Sequence, residues 1–534
     1  MRESNTQPTA QPWWRNAVVY QVYPRSFADT DGDGIGDLPG ITAHLEHIAG
    51  LGADALWLSP FFKSPQHDAG YDVSDYCDVD PLFGTLADID ALLASAREHG
   101  LRVIVDLVPN HTSWDHAWFQ AAVASEPGSP ERARYLFRPV DPAAPDTPPN
   151  NWLSVFGGPA WSKVTSPAGV EEWYFRLFDA SQPDLNWHNP EVVAMFDDVL
   201  RFWLDRGVDG FRVDVAHGLF KAEGMPDQVM PDGGPLETEP ARLIERGITW
   251  APMWDQPEVH GVYRRWRTIL DEYDGERMMV AEAMPLTMAG MARYVRPDEF
   301  PQTFNFALQW AQWSAEQFRE VITNTMLELA EIGSPPTWVL DNHDQPRHAS
   351  RYGGGPRGVA RARAATLLML GLPGSAYLYQ GEELGLEEVD VPVALRQDPR
   401  TDGPSRDGCR VPIPWSGEKA PYGFGPDGST PWLPQPDGWE ELSVEAQTGI
   451  EGSTLEFYRS ALAARRQLSG NDVEVVSAAD GVVQVRRGDV LTVMNASEED
   501  IPLPQGDILL ASQPLGDVQE GVLPPDATVW LRIS

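Results

Sequence analysis

Short, uninterrupted runs of apolar and β-branched residues alternate along this chain with longer amphipathic stretches. AVVYQVYP (17–24), ADALWLSP (53–60) and LRVIVDLVPNH (101–111) are runs of the first kind; ITAHLEHIAGLG (41–52) and TLADIDALLASAREHG (85–100) are of the second. A strand with one wet face alternates polar and apolar residues, whereas a continuous apolar run marks a strand buried on both faces. The rhythm continues through helical patterns at 191–207, 260–273, 315–332 and 358–372. Between them lie strand-like segments VDGFRVDVA (208–216), RMMVAEAM (277–284), QTFNFAL (302–308), PTWVLDNHD (336–344) and SAYLYQGEE (375–383). That gives eight strand-like segments, mostly separated by helices. A βαβα order calls for a parallel sheet, and eight repeats favour closure into an α/β fold, the (β/α)8 TIM barrel.

The alternation breaks twice. Residues 112–182 are rich in Pro, Gly, Trp and Ser and include DPAAPDTPPNN; this is too long for a connection and predicts a subdomain inserted after strand 3. A second irregular stretch, 218–256, holds GMPDQVMPDGG. After a last helix (453–468), the tail carries VEVVSA, VVQVRR, VLTVMN, DILLAS and TVWLRI between Gly, Asp and Pro turns, the pattern of a small C-terminal all-β sandwich domain. The expected division is 1–108 and 183–468 for the barrel, 109–182 for the insertion and 469–534 for the β-domain.

Charge narrows the partners. Against 40 Lys and Arg stand 79 Asp and Glu, so the net charge is −39. Such a surface repels nucleic-acid phosphates and anionic membranes, and neither partner is expected. The chain has no apolar run of about 18 residues and no signal-peptide pattern at its start, so a cytoplasmic location is expected. Cys77 and Cys409 do not describe a disulfide framework or a metal-ligand spacing; free thiols in a reducing compartment are expected. No GxGxxG follows a strand and no GxxxxGK[ST] occurs, so no organic cofactor is expected. The 20 Trp and 14 Tyr offer faces on which sugars stack, besides their packing role.

In a barrel of this kind, chemistry sits at the C-terminal ends of the strands. Asp106 and His111 follow the third strand, Asp214 ends the fourth, Glu282 the fifth, and His343–Asp344 the seventh. Three carboxylates at one mouth match glycoside hydrolysis, in which one acid protonates the leaving oxygen and another traps the anomeric carbon.

DLVPNHTS (106–113), GFRVDVAHG (210–218), VAEAM (280–284) and LDNHDQPR (340–347) resemble, in order and spacing, the four main motifs of the α-amylase superfamily, glycoside hydrolase family 13. QPDLN (182–186), VVYQVYPRSFADTDGDGIGDLPGI and DAGYDVSDY (68–76) resemble its α-glucosidase and oligo-1,6-glucosidase branch. The resemblance implies Asp214 as nucleophile, Glu282 as general acid/base and Asp344 as the carboxylate that stabilises the transition state. It implies Arg212 as the charge partner of Asp214, and His111 and His343 as hydroxyl partners in the −1 subsite. Asp68 and Arg410 are similar to a pair that clamps the non-reducing glucose and closes the pocket, and Tyr71 to its stacking platform; Asp106 would orient its neighbours. A nucleophile implies retention, with a carboxylate separation of roughly 5–5.5 Å. The implied activity is a retaining exo-acting α-glucosidase that prefers α-1,4 bonds in short maltose-type glucosides. The alternatives are an oligo-1,6-glucosidase or a transglucosylating relative. In the branch, valine after the nucleophile accompanies α-1,6 action; here it is Val215, but Ala216-His217-Gly218 depart from that pattern.

One motif stands apart from the mouth. DTDGDGIGD places Asp29, Asp31, Asp33, Gly34, Ile35 and Asp37 at positions 1, 3, 5, 6, 7 and 9 of a calcium loop, with Gly40 where an EF-hand has its glutamate. A hard cation on oxygen ligands is expected, and the resemblance implies structural Ca²⁺ or Mg²⁺.

Overall fold

The computed structural model describes residues 11–400, 405–476, 479–515 and 521–533. Eight parallel strands make the central sheet: β1 (Val18–Val22), β2 (Ala55–Leu58), β3 (Arg102–Leu107), β4 (Gly210–Val213), β5 (Met278–Ala281), β6 (Gln302–Thr303), β7 (Thr337–Val339) and β8 (Ser375–Tyr379). Their order is β6-β5-β4-β3-β2-β1-β8-β7, and a parallel bridge between Asn305 and Trp338 joins the two ends into a barrel.

The continuous apolar runs arise because both faces of each strand are buried. Val19, Ala55, Trp57, Ile104, Val280, Val339 and Tyr377 point into the barrel and pack on one another. Their neighbours Val18, Tyr20, Leu56, Val103 and Val105 point outward into the core beneath the helices. Each such side chain contributes about 1.5–3 kcal/mol when fully buried. The helices start and stop on sequence signals. Asn189 accepts from the Glu191 amide at the start of Pro190–Arg206, and Gly207 closes that helix in the left-handed region.

One expected strand is corrected. Within QTFNFAL the strand is only Gln302–Thr303, followed by the single bridge at Asn305; Asn305 then caps a short helix, Phe306–Trp310, by accepting from the Ala307 amide. An apolar run reads alike as buried strand or buried helix, and the asparagine cap decides here.

Between β3 and Pro190–Arg206 the chain builds helix Ala117–Val123 and a three-stranded antiparallel sheet from Phe137–Pro139, Glu171–Phe175 and Trp161–Thr165. The second irregular stretch docks on it. Trp152, Phe175 and Leu177 pack with Met225, Met230, Leu243 and Trp254, so two loops far apart in sequence form one wall above the barrel.

The tail forms a five-stranded antiparallel sheet (Glu474–Val476, Val482–Arg487, Val490–Asn495, Ala527–Arg532, Asp507–Ala511) and a ribbon of Ile501–Pro502 with Val522–Leu523. One face holds its own core around Val493, Val529 and Leu531. The other meets helix Gly355–Gly371, where the Trp530 indole donates to Leu367 O at 3.0 Å. Among the described residues no helix is long and apolar enough to cross a membrane, and Cys77 and Cys409 are unbonded.

Candidate active site

The strand ends bring the acids together. Asp106 on β3 and Arg212 on β4 are register partners, so their side chains stand side by side at the same level. Asp214 lies two residues beyond Arg212 and therefore on the same side of the chain. Glu282 follows β5, with its amide on Val213 O at 2.9 Å. Arg212 thus becomes the hub. Its Nη1 donates to Asp106 Oδ1 at 2.9 Å and to Asp214 Oδ1 at 2.5 Å, and its Nη2 lies 3.2 Å from Glu282 Oε2. The Val215 amide donates to the same Glu282 oxygen at 2.8 Å. Val215 does so from φ +46°, a left-handed geometry that costs a β-branched residue of order 1–3 kcal/mol.

Three carboxyls around one guanidinium cannot all ionise freely. Burial raises Glu282, Asp214 well above its ordinary range, and Asp106 to about 6, with Arg212 opposing each rise. The cluster therefore tends to retain a proton. The shorter Arg212 contact, 2.5 Å to Asp214 against 3.2 Å to Glu282, favours the anion on Asp214.

Asp344 behaves differently. Burial works against its charge, but His343, Arg406 and Arg410 outweigh it and hold the carboxyl below the usual range. Its Oδ1 accepts from Arg410 Nη2 at 2.8 Å and from Arg406 Nη1 at 3.1 Å, and His343 Nε2 lies 3.2 Å from Oδ2. Gln21 can only donate to His343 Nδ1, at 2.7 Å, so the proton sits on Nε2. Burial pushes the His343 pKa down to about 3, so the ring is neutral near pH 7. It lies stacked between Tyr23 and Tyr71, with centroids 5.5 and 5.4 Å away.

The expected clamp is corrected. Asp68 Oδ1 accepts from Arg406 Nη2 at 2.9 Å, while Arg410 makes its ion pair with Asp344 and donates through Nε to His343 O at 2.8 Å. Both arginines lie on one short 3₁₀ turn, Arg406–Arg410. Arg406 faces the cleft and Arg410 packs behind it. A third acid, Asp398, holds Arg406 Nη2 at 2.7 Å. Gln182 of QPDLN donates to Asp68 Oδ2 at 3.0 Å.

These groups surround a cleft of about 890 Å³, counted to its open mouth. Asp68, Tyr71, His111, Asp214, Glu282, Asp344 and Arg406 line it, whereas Arg212, His343 and Arg410 support it from behind. Tyr71 is fixed by its hydroxyl, which donates to Asp106 at 3.1 Å and meets His343 Nε2 at 2.7 Å. The His111 ring accepts from Asn110 at 3.2 Å and donates through Nε2 to Tyr71 O at 3.2 Å.

Sequence reasoning missed several members of this wall: Arg406, Asp398, Gln182 and His217. Two arginines four apart in SRDGCR carry no signal for which one faces inward. His217 was visible only as a departure from pattern. It stacks on Trp254 at 4.5 Å, lines the cleft, and has both ring nitrogens buried without a hydrogen-bond partner among the described residues. Burial lowers its pKa to about 3, so it is a neutral donor and acceptor facing the reacting region.

The acidic loop lies away from the cleft. Carboxylate oxygens of Asp29, Asp31 and Asp37 come within 4.8 Å of one another. Asp33 does not join them; its Oδ1 accepts the Ile35 amide at 2.8 Å. Gly34 sits at φ +92°, and a Cβ there would stand 2.1 Å from Thr430 O, so only glycine fits. A convergent all-oxygen acid set suits a hard cation, which would offset the mutual repulsion of the three carboxylates.

The catalytic-domain model of α-amylase matches residues 21–470. A probable α-glucosidase of Rhizobium meliloti (strain 1021) is 40% identical over 91% of this chain and 90% of its own. An oligo-1,6-glucosidase of Parageobacillus thermoglucosidasius is 35% identical over 88% of this chain and 86% of its own. The crystal structure of an α-glucosyl transfer enzyme, XgtA, superposes with a TM-score of 0.88 at 38% identity, covering 98% of this chain and 100% of that one.

Proposed function

The chain belongs to the α-amylase family of glycoside hydrolases, and from that premise we propose that it is a retaining, exo-acting α-glucosidase. It would release terminal non-reducing α-D-glucose from short α-glucosides, with α-1,4 bonds preferred. The observation that carries the exo reading is the bridge Asp68–Arg406–Asp344. In this reading the chain of charges crosses one end of the cleft and would stop a further sugar beyond the glucose bound there.

In the proposed reaction, Asp214 Oδ attacks the anomeric carbon while the C1–O bond breaks and Glu282 gives its proton to the departing oxygen. The product is a β-glucosyl ester on Asp214. Glu282, now a carboxylate, takes a proton from water; the oxygen of that water attacks C1 and the ester bond breaks, restoring Asp214. Arg212 holds Asp214 as an anion before attack and lies against Glu282 throughout. Asp344, held ionised, accepts from hydroxyls of the distorted ring, and the Tyr71 face carries its apolar side. His217 and Trp254 face the leaving sugar.

A second reading, oligo-1,6-glucosidase, has Val215 as its observation, since this residue lines the cleft beside Asp214. A metal, Ca²⁺ or Mg²⁺, would be held by Asp29, Asp31 and Asp37 and would supply rigidity to the loop, not chemistry. Unbonded Cys77 and Cys409 accord with a cytoplasmic setting.

Time-resolved NMR of maltose, isomaltose and sucrose digests tests the proposal. α-Glucose is expected as the first-formed anomer, with maltose cleaved fastest and maltotetraose giving glucose and maltotriose as its first products. β-Glucose appearing first would refute retention. Maltose as a first product of maltotetraose would refute exo action, and faster isomaltose cleavage would establish the second reading.

A further inference from the structure

A second cavity, of about 1110 Å³ counted to its open mouth, lies at the end of the barrel opposite the cleft. Val18 opens β1, Asp54 immediately precedes β2 and Arg102 opens β3; all three line it, so its floor is the N-terminal rim of the barrel. Its other wall comes from the last barrel helix, Thr454–Arg465, and from Arg487 of the C-terminal sheet.

The charge of this wall is the reverse of the molecule's. The chain carries −39, yet Arg102, Arg465, Arg466 and Arg487 face this cavity against a single acid, Asp54. Two of the four are already paired: Arg102 with Asp209 at 3.1 Å and Arg466 with Asp54 at 2.9 Å. Arg465 and Arg487, each 6% exposed, make no ion pair among the described residues. Arg465 donates to Leu372 O at 2.9 Å and to the carbonyls of Leu370 and Gly374. Arg487 donates to Leu372 O at 3.0 Å and Gly470 O at 2.8 Å, and its Nη2 donates to nothing among the described residues.

Leu370 and Leu372 belong to the carbonyl end of helix Gly355–Gly371, whose dipole offers about half a negative charge. Two buried guanidiniums exceed that by more than one full charge. Buried cations are normally met by a carboxylate or by a bound anion. Here, among the described residues, neither guanidinium has a carboxylate in ion-pair contact; Asp54 acts on Arg465 only at longer range, and burial draws Arg465 down to about 9 and Arg487 to about 10.

We propose that this cavity is a binding site for a phosphate dianion, held by Arg465, Arg487 and Arg466. Guanidinium forks match phosphate oxygens bidentately, and a dianion meets both unpaired charges at once. Free inorganic phosphate and the phosphate of a sugar phosphate share this chemistry.

Scanning calorimetry of the full chain tests it, with inorganic phosphate, glucose 6-phosphate, or chloride at matched ionic strength. At a hundredfold excess over Kd, a ligand of the folded state should raise the Tm of a 534-residue chain by about 2 °C, the rise growing with the logarithm of its concentration. Arg487→Gln should abolish the rise while leaving glucosidase turnover unchanged. The half-exposed Arg466→Gln, which keeps the buried pair, should require about tenfold more phosphate for the same rise. The same rise at lower glucose 6-phosphate than phosphate identifies a sugar phosphate as the ligand, and the reverse identifies free phosphate. An equal rise in chloride, or an undiminished rise in both variants, would overturn the proposal.

Discussion

Arg406→Gln is the substitution that separates the observed clamp from the one first expected. Arg406 meets three acids: Asp68 at 2.9 Å, Asp344 at 3.1 Å and Asp398 at 2.7 Å. Two of them keep other partners. Asp344 retains Arg410 at 2.8 Å and His343 at 3.2 Å. Asp398 retains the backbone amide of residue 406 at 2.6 Å. Asp68 is left with the Gln182 amide at 3.0 Å and no cation. Leaving one buried charge unpaired costs about 3–5 kcal/mol, and the surviving partners place this case at the lower end, about 3 kcal/mol. Unfolding entropy of about 2.1 cal/mol/K per residue over 534 residues converts that to a Tm lower by about 3 °C. In an Asp68→Asn background the orphaned charge is gone, so Arg406→Gln should cost about 1–3 kcal/mol less. Arg410→Gln should instead add to Asp68→Asn within about 0.5 kcal/mol. Denaturant unfolding of the six proteins in these cycles reads both couplings. A strong Asp68–Arg410 coupling with an additive Asp68–Arg406 pair would refute the assignment.

The barrel was legible because its signal is local and repeated. Continuous apolar runs such as RVIVDL and VDGFRV are what two buried faces require, and the caps at Asn189 and Gly207 are chemical signals within a few residues. QTFNFAL failed for the complementary reason: its apolar content is the same in strand or helix, and the decision lay with Asn305 and the packing of Phe306. At the mouth, groups on the strands themselves were legible, since the spacing of Arg212 and Asp214 fixes their common side. Groups delivered by loops were not. Whether Arg406 or Arg410 reaches Asp68 depends on how one 3₁₀ turn is rotated against the barrel. In the same way, Asp33 sits at a ligand-like spacing, but its carboxylate closes on the Ile35 amide, a choice made by loop geometry and not by sequence position.

Two further outcomes follow from the charges. Chelation should lower Tm by a few degrees in the wild type and be reversed by Ca²⁺ or Mg²⁺, because the Asp29, Asp31 and Asp37 carboxylates are left to repel one another; an unchanged Tm, or the same shift in Asp31→Asn, would refute a cation there. Asp106→Asn should alter how stability varies with pH. Burial raises this carboxyl to about 6, against an unfolded value of about 3.9. The folded state therefore holds the proton more tightly. The stability this contributes is fully present below about pH 4 and is lost as pH rises through about 6. Two units correspond to about 3 kcal/mol. Asp344, whose carboxyl is held low, acts with the opposite sign, contributing stability at neutral pH that is lost in acid. The two are separable because Asp106→Asn removes only the first. The stability of the variant relative to wild type should rise by up to about 3 kcal/mol between pH 4 and pH 6 and stay level above that window. A difference independent of pH would show that Asp106 titrates alike in the folded and unfolded chain, and that a proton retained by the cluster sits on Asp214 or Glu282.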